Sequence, residues 1–233
     1  MKSLSLVLVL ILGLALAGCG TNITPKMYSA TAEIEIMPRI YSSPLSYFGP
    51  NGPPDAKTQI TMQIGFMQSP DILTPIIQDL KLAQIWAKRF KSDHDVMTQQ
   101  EALDHLRKVL KIEAVTGTNI VKVTASSQMP QEAADIANTL IDHYKAYSDQ
   151  HEVERFERGA DVMRDQITQQ EKVVNDAKSA AAKLRQDDNA QRWLEQQQSL
   201  HDALNARLKQ DIADHRLQES RVRIISRAVA PPE

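Results

Sequence analysis

Apolar and polar positions alternate over residues 27–41, MYSATAEIEIMPRIY. Ala30, Ala32, Ile34 and Ile36 fall on one face, and Thr31, Glu33 and Glu35 on the other. This two-residue period predicts a half-buried strand. Pro38 has no amide to offer a ladder and ends or bulges it. Residues 42–57 hold four Pro and two Gly and read as a loop. The Tyr47-Phe48 pair within it reads as a packed anchor, with an exposed contact as the alternative. A helical period then takes over. Ile60, Ile64 and Met67 line one side of a helix over 58–68. Ser69-Pro70-Asp71 reads as a helix start, with Ser as N-cap and Pro at the first position. From Asp71 to Leu82 the residues Ile72, Leu73, Ile76, Ile77 and Leu80 keep helical spacing, and Pro75 sits in the early turns, where a missing amide costs least. Ile85-Trp86 reads as part of a short connecting segment. Thr98-Gln99-Gln100-Glu101 has the capping-box pattern and opens a helix to Ile112, with Ala102, Leu103, Leu106, Val109 and Leu110 as its buried face. Residues 112–127 return to strand character, with Gly117-Thr118-Asn119 as a turn or bulge and alternation from Ile120 to Ala125.

Pro130 opens a long helical stretch. Over 131–147 the stripe Ala133, Ala134, Ile136, Ala137, Leu140, Ile141 and Tyr144 is wide, as suits a helix lying on a sheet. Farther on it narrows. Phe156, Ala160, Met163, Ile167, Gln170, Val174, Ala177, Ala181 and Leu184 step alternately by four and three, a heptad seam with one polar member. Asp187-Asp188-Asn189 reads as a turn. Trp193, Gln197, Leu200, Leu204, Leu208 and Ile212 then predict a second helix with a matching narrow stripe. The two arms are of similar length, each about 50 Å at ~1.5 Å per residue. The pattern predicts an antiparallel helical hairpin projecting from a base. Phe156, Met163, Ile167, Val174, Leu200, Leu204 and Leu208 are the candidate seam of that arm. Last, Val222 to Ala230 is β-rich and is expected to return to the sheet near the first strand.

Composition sharpens this picture. From 131 to 230 there is no Pro and one Gly, Gly159. So long a stretch without breakers excludes an all-β chain and most α/β enzymes, which need frequent turns. With 27 Lys+Arg against 29 Asp+Glu, the formal net charge is −2. That balance argues against a nucleic-acid partner, because little cationic surface is available to release counterions. The fold class expected is α+β: a small mixed β-sheet base with packed helices and a long antiparallel helical hairpin arm.

The single cysteine, Cys19, can form neither an intramolecular disulfide nor a thiolate zinc site. Its setting gives it another use. Lys2 is a short basic lead, Leu4 to Ala17 is apolar, and Leu16-Ala17-Gly18 places small residues directly before Cys19, the layout of a signal peptide. The apolar run spans about 21 Å as a helix, short of the ~30 Å hydrocarbon core. An uncleaved anchor helix is the alternative. Leu-Ala-Gly-Cys resembles the lipobox of bacterial lipoproteins. That resemblance implies acylation of Cys19, cleavage before it, and a lipid bilayer as partner. Gly20 and Thr21 include no Asp, which under the enteric sorting rule leans to the outer membrane. Whether the chain sits on the inner or outer membrane stays open. Removing residues 1–18 takes away one Lys and leaves a formal −3. The expected organisation is a signal peptide over 1–18, a tether over 19–26, an α/β base over 27–150 and 221–233, and an arm over 151–220.

Segments along the chain resemble those of a known family. Ser69-Pro70-Asp71-Ile72-Leu73 is similar to its helix start, and Gly117-Thr118-Asn119-Ile120-Val121-Lys122-Val123 resembles its strand after a turn. Pro130-Gln131-Glu132-Ala133-Ala134-Asp135-Ile136-Ala137-Asn138 resembles the start of its long helix, and Arg221 to Pro232 its closing strand. In order and spacing they resemble the periplasmic domain of the polysaccharide co-polymerases, the Wzz-like chain-length determinants, over about residues 25–233. The resemblance implies a base near the membrane, a helical arm reaching into the periplasm, and ring-like homo-oligomers. It also implies a non-catalytic role in the chain length, assembly or export of a bacterial surface polysaccharide, with assembly proteins and the glycan as partners. The chain is expected to depart from the family in two respects. The lipobox-like segment is expected to replace the family's first transmembrane helix, and no second is expected where the sequence given stops, at Glu233.

Candidate chemistry is sparse. His94, His105, His143, His151, His201 and His215 form no His-Glu-x-x-His and have no Cys partner, so no metal site or cofactor is expected. His201 and His215 fall near the arm's stripe and read as partly buried helix-face residues. Asp187-Asp188 lacks the periodic oxygen ligands of a calcium loop. Gly117 has no second Gly and no following Lys-Ser/Thr, which excludes a phosphate loop. The chain is therefore expected not to be an enzyme. A generic lipoprotein scaffold binding another envelope protein through its coiled arm is the alternative function.

Overall fold

The computed structural model describes residues 26–37, 54–90, 95–184, 187–217 and 219–232. The leader with Cys19, Pro38, and the Tyr47-Phe48 pair lie outside the described residues. Strand β1 is Tyr28–Ile36. Helices α1 (Ala56–Met67), α2 (Pro70–Asp79), α3 (Leu82–Arg89) and α4 (Gln99–Val109) follow. Then come β2 (Leu110–Ala114), β3 (Ile120–Ser127), α5 (Pro130–Lys183), α6 (Asp188–Leu217) and β4 (Val222–Ser226).

The helix starts follow local chemistry. The Asp55 carboxylate accepts from the Thr58 amide at 2.6 Å and caps α1. Thr98 and Glu101 form both halves of the capping box of α4. Ser69 stands at the N-cap of α2 without a side-chain bond, and Pro70 begins the helix. The Ile85-Trp86 segment is helical, in α3, rather than a connection. Lys81 at φ 52° turns the chain so that a separate short helix can start and bury Leu82, Trp86 and Ala87. The helix expected to run to Ile112 stops at Val109, because Leu110, Lys111 and Ile112 pair with Ala125, Thr124 and Val123. Gly117 at φ 78° occupies the left-handed region of the β2–β3 turn, where a side chain is disfavoured.

The sheet order is β2-β3-β1-β4. The α+β class is as expected, but the mixed sheet is not: every neighbouring pair is antiparallel. β3 and β4 do run parallel to each other, yet β1 is inserted between them. β1 and β2 are likewise parallel, with β3 between them, so no parallel pair is adjacent. Ile225 is the extra residue of a bulge in β4, since Ile34 pairs with Ile224 and Glu33 with Ser226.

One sheet face is buried through Ala30, Ala32, Ile34, Ile36, Val121, Val123 and Ala125. The first turns of α5 lie against it through Ala133, Ala134, Ile136, Ala137, Leu140, Ile141 and Tyr144, all in the same core. Alanines on both surfaces leave room for the helix to lie close, and α1, α2, α3 and α4 complete the core. The sheet-packing stretch and the first half of the arm belong to one helix of 54 residues, roughly 80 Å long. Nothing in 131–183 interrupts the backbone ladder, so the wide stripe narrows without a break.

Candidate functional site: the helical arm and its root

α6 turns back along α5, and the two helices pack as an antiparallel hairpin. On α5 the seam buries Ala160, Met163, Val174, Ala177 and Ala181 and half-buries Phe156 and Ile167, while Leu184 at its end is exposed. On α6 no residue is fully buried. Leu204 and Leu208 are half-buried there. Leu200 is not on the seam: it is 48% exposed, and Trp193 is exposed as well. The half-buried positions are Ala190, Leu194, Gln197, Gln198, His201, Leu204, Asn205, Leu208, Asp211, Ile212 and His215. Ala190, Leu194, Gln197, His201, Leu204, Leu208, Asp211 and His215 among them step alternately by four and three, and Gln198, Asn205 and Ile212 widen that face on one side. Trp193 and Leu200 are apolar but lie off that period. Extending the four-three steps backward and forward from Leu204 finds the true face, polar members included.

Two polar layers cross the hairpin. The Gln170 amide donates to the Gln197 side-chain oxygen at 2.8 Å, between helices. Phe156 and His215 stack with ring centroids 3.9 Å apart and planes 5° from parallel. The amide pair pins the register of one helix on the other, since a slip by one turn would leave a half-buried amide unpaired, and the ring stack adds a second fixed contact near the arm's root.

Below the His215 layer, where the arm joins the base, lies a cleft of about 250 Å³ lined by Ser148, Asp149, Glu152, Val153, His215, Glu219, Ser220 and Arg221. Two of its carboxylates, Asp149 and Glu152, are held in ion pairs. Asp149 receives Lys145 at 2.7 Å and the Ser220 hydroxyl at 2.6 Å. Glu152 receives Arg155 at 2.8 Å and Arg221 at 3.4 Å. Arg221 also donates to the Met37 carbonyl, which ties the arm's exit to the end of β1. The volume is below the ~300 Å³ of ordinary ligand pockets, and each of these two carboxylates has a cation. The arrangement suits a joint that fixes the arm's angle. Among the described residues no three His, Cys, Asp or Glu side chains gather as metal ligands.

A second polar node lies in the base and went unread in the sequence. Glu132, 11% exposed, takes two hydrogen bonds from Arg89 at 2.8 and 2.6 Å, one from Ser127 at 2.6 Å and one from the Trp86 indole at 3.1 Å. Burial works to raise the Glu132 pKa. The hydrogen bonds from Arg89, Ser127 and Trp86 and the Arg89 charge outweigh it and hold the carboxyl below its usual range. The one sequence signal was an acid in a helix's first turn, which is too common to single out. His105 packs edge-on to Trp86 at 4.5 Å, and its pKa is lowered by burial first and by the Lys108 charge next.

The geometry defines a class first: an antiparallel sheet base from which one helix runs without interruption into a coiled hairpin. No protein-family model matches the chain, and no curated protein matches it. Solved structures similar to it include a full-length bacterial polysaccharide co-polymerase, at 13% identity and a TM-score of 0.41, covering 100% of this chain and 84% of that one. Another is the Shigella flexneri lipopolysaccharide O-antigen chain-length regulator, in a point mutant, at 12% identity and a TM-score of 0.35, covering 89% of this chain and 99% of that one. A fragment of the polysaccharide co-polymerase WzzB from Salmonella Typhimurium has 14% identity and a TM-score of 0.31, covering 89% and 98%. Among the described residues, no helix is long and apolar enough to cross a membrane.

Proposed function

We propose that this chain is a non-catalytic envelope protein, anchored by acylated Cys19, that assists or regulates the chain length, assembly or export of a bacterial surface polysaccharide. One observation carries the reading. The sequence segments that resemble the polysaccharide co-polymerases all fall at junctions of the fold. Ser69 is the N-cap of α2, Gly117 turns the β2–β3 hairpin, Pro130 starts α5, and Arg221 leads into β4. Residues at such junctions set where elements begin and turn, so a likeness there speaks to the same overall build.

In this reading the base sits at the membrane, the domain lies in the periplasm, and copies pack side by side through base and arm. Val162 and Val173 on α5, and Trp193 and Leu200 on α6, are exposed apolar side chains. Spaced eleven and seven apart, the members of each pair share a helix face, which offers a neighbour an apolar stripe. The same stripes favour a second reading, a scaffold whose arm binds another envelope protein. Deleting the gene and sizing the surface polysaccharide on gels separates the two. A shifted length distribution, restored by the wild-type gene, is the expected result. An unchanged distribution with normal amounts of polymer overturns the proposal.

A further inference from the structure

One end of the base gathers apolar side chains that the core does not use. Tyr28, first in β1, pairs with Ser127, last in β3, so Met27 and Met129 leave the sheet at the same end. α3 ends there too: Arg89 donates to Ser127 and Glu132, and Phe90 closes the helix. The C-terminal segment runs toward the same end. Arg227 binds Asp142, then Ala228 exchanges hydrogen bonds of 2.8 and 3.0 Å with Asn138, nearer the start of α5, and Val229 follows. Met27 is 50%, Phe90 41%, Met129 54% and Val229 80% exposed. Lys26, next to Met27 and with its ammonium 4.6 Å from the Tyr28 ring centroid, and Lys88, in the last turn of α3, are exposed as well.

The chain itself indicates what covers this end. Seven residues lie between Cys19 and Met27, eight steps that span at most ~28 Å when fully extended. An acylated Cys19 therefore keeps this end, and not the far end of α5, within reach of the bilayer. Apolar side chains flanked by lysines fit the headgroup and upper acyl region of a membrane with anionic lipid. We propose that Met27, Phe90, Met129 and Val229, with Lys26 and Lys88, form a docking face that lies against the bilayer surface. This rests on the lipid-anchored reading above and adds a second, non-covalent attachment. It has a consequence for the arm: α5 starts at the docked end, so its other end is carried roughly 80 Å along the helix away from that end.

Depth-dependent quenching in vesicles tests the face. A genetically encoded dansyl amino acid replaces Met129, Val229, Thr31 or Asn189 in turn in the full chain. Each protein is purified from membranes and reconstituted in phosphatidylethanolamine/phosphatidylglycerol vesicles containing a headgroup-region nitroxide lipid. Quenching at 129 and 229 is expected to exceed that at Thr31, on the open sheet face, and Asn189, at the far end of the arm, severalfold. A Phe90→Ser change should reduce quenching at 129. Equal quenching at all four positions overturns the proposal. So does a blue-shifted, unquenched probe at 129, which would mean that a second copy covers this end. The mass of the N-terminal peptide decides the anchor separately. An acylated chain with an unquenched probe sinks the docking face alone, whereas a quenched probe on an unacylated chain keeps the face and sinks the anchor.

Discussion

Glu132 stands in the first turn of α5 and accepts hydrogen bonds from side chains of two other elements, α3 and β3. Replacing it with Ala leaves Arg89 and the Trp86 indole without their acceptor inside the base. The expected loss is about 2 kcal/mol, in the range for hydrogen bonds to a charged group, read as a lower urea midpoint at unchanged slope. The pH response follows from the two shifted groups. The His105 pKa is lowered in the fold, so the unfolded chain binds more protons just below pH 6.5. Its contribution is full above that pH and is lost as the pH falls through the lowered value. The Glu132 pKa is also lowered, so its contribution is full above about 4.5 and is lost as the pH falls further. Thermal unfolding should therefore show stability declining in two stages on acidification. His105→Gln should remove the upper stage and leave the lower one. A variant that keeps both stages would assign the upper one elsewhere.

At the scale of elements, the arm is the part whose energetics can be separated. Leu200 and Leu204 are both leucines of α6 four residues apart, yet only Leu204 is on the seam. Leu200→Ser should change stability by no more than ~0.5 kcal/mol, as exposed substitutions do. Leu204→Asp or Ile167→Asp puts a charge against the facing helix and should melt the hairpin, at about 3 kcal/mol or more. Circular dichroism distinguishes them: the helical signal of the arm is lost in the Asp variants and kept in Leu200→Ser. Gln170→Ala should cost about 1 kcal/mol, since Gln197 loses its cross-helix partner. If the Asp variants keep normal polysaccharide length, the arm has no part in the proposed function.

For the whole molecule, the continuity of α5 is the central mechanical fact. Because one helix is both the cover of the sheet and half of the arm, the arm cannot swing without bending that helix. Val153 is exposed at the root cleft, so proline there removes a ladder bond without emptying the core. Val153→Pro should kink the helix at a cost of ~3 kcal/mol. The base should stay folded, with Trp86 fluorescence unchanged, while small-angle scattering reports a shorter maximum dimension. Under the proposed function, polysaccharide length control should fail in this variant even though membrane retention persists. Normal length control with a kinked arm would separate the arm's angle from the activity.

The sequence by itself determined most of the local pieces. Alternation marked the inward face of β1, and Ala30, Ala32, Ile34 and Ile36 are all buried. The capping residues of α4 and the breaker-free stretch after Pro130 were equally legible, because caps, turns and periodicity are short-range properties. Tertiary structure decided what depends on partners distant along the chain. Leu110 joined a strand because β3 was there to pair with it, and the sheet became antiparallel because β1 lies between β3 and β4. Leu200 lost its place on the seam to His201 because the facing helix, not side-chain hydrophobicity, sets which side is covered. The Glu132 node was invisible for the same reason. Its partners lie up to 46 residues away, and only folding brings them within hydrogen-bonding distance.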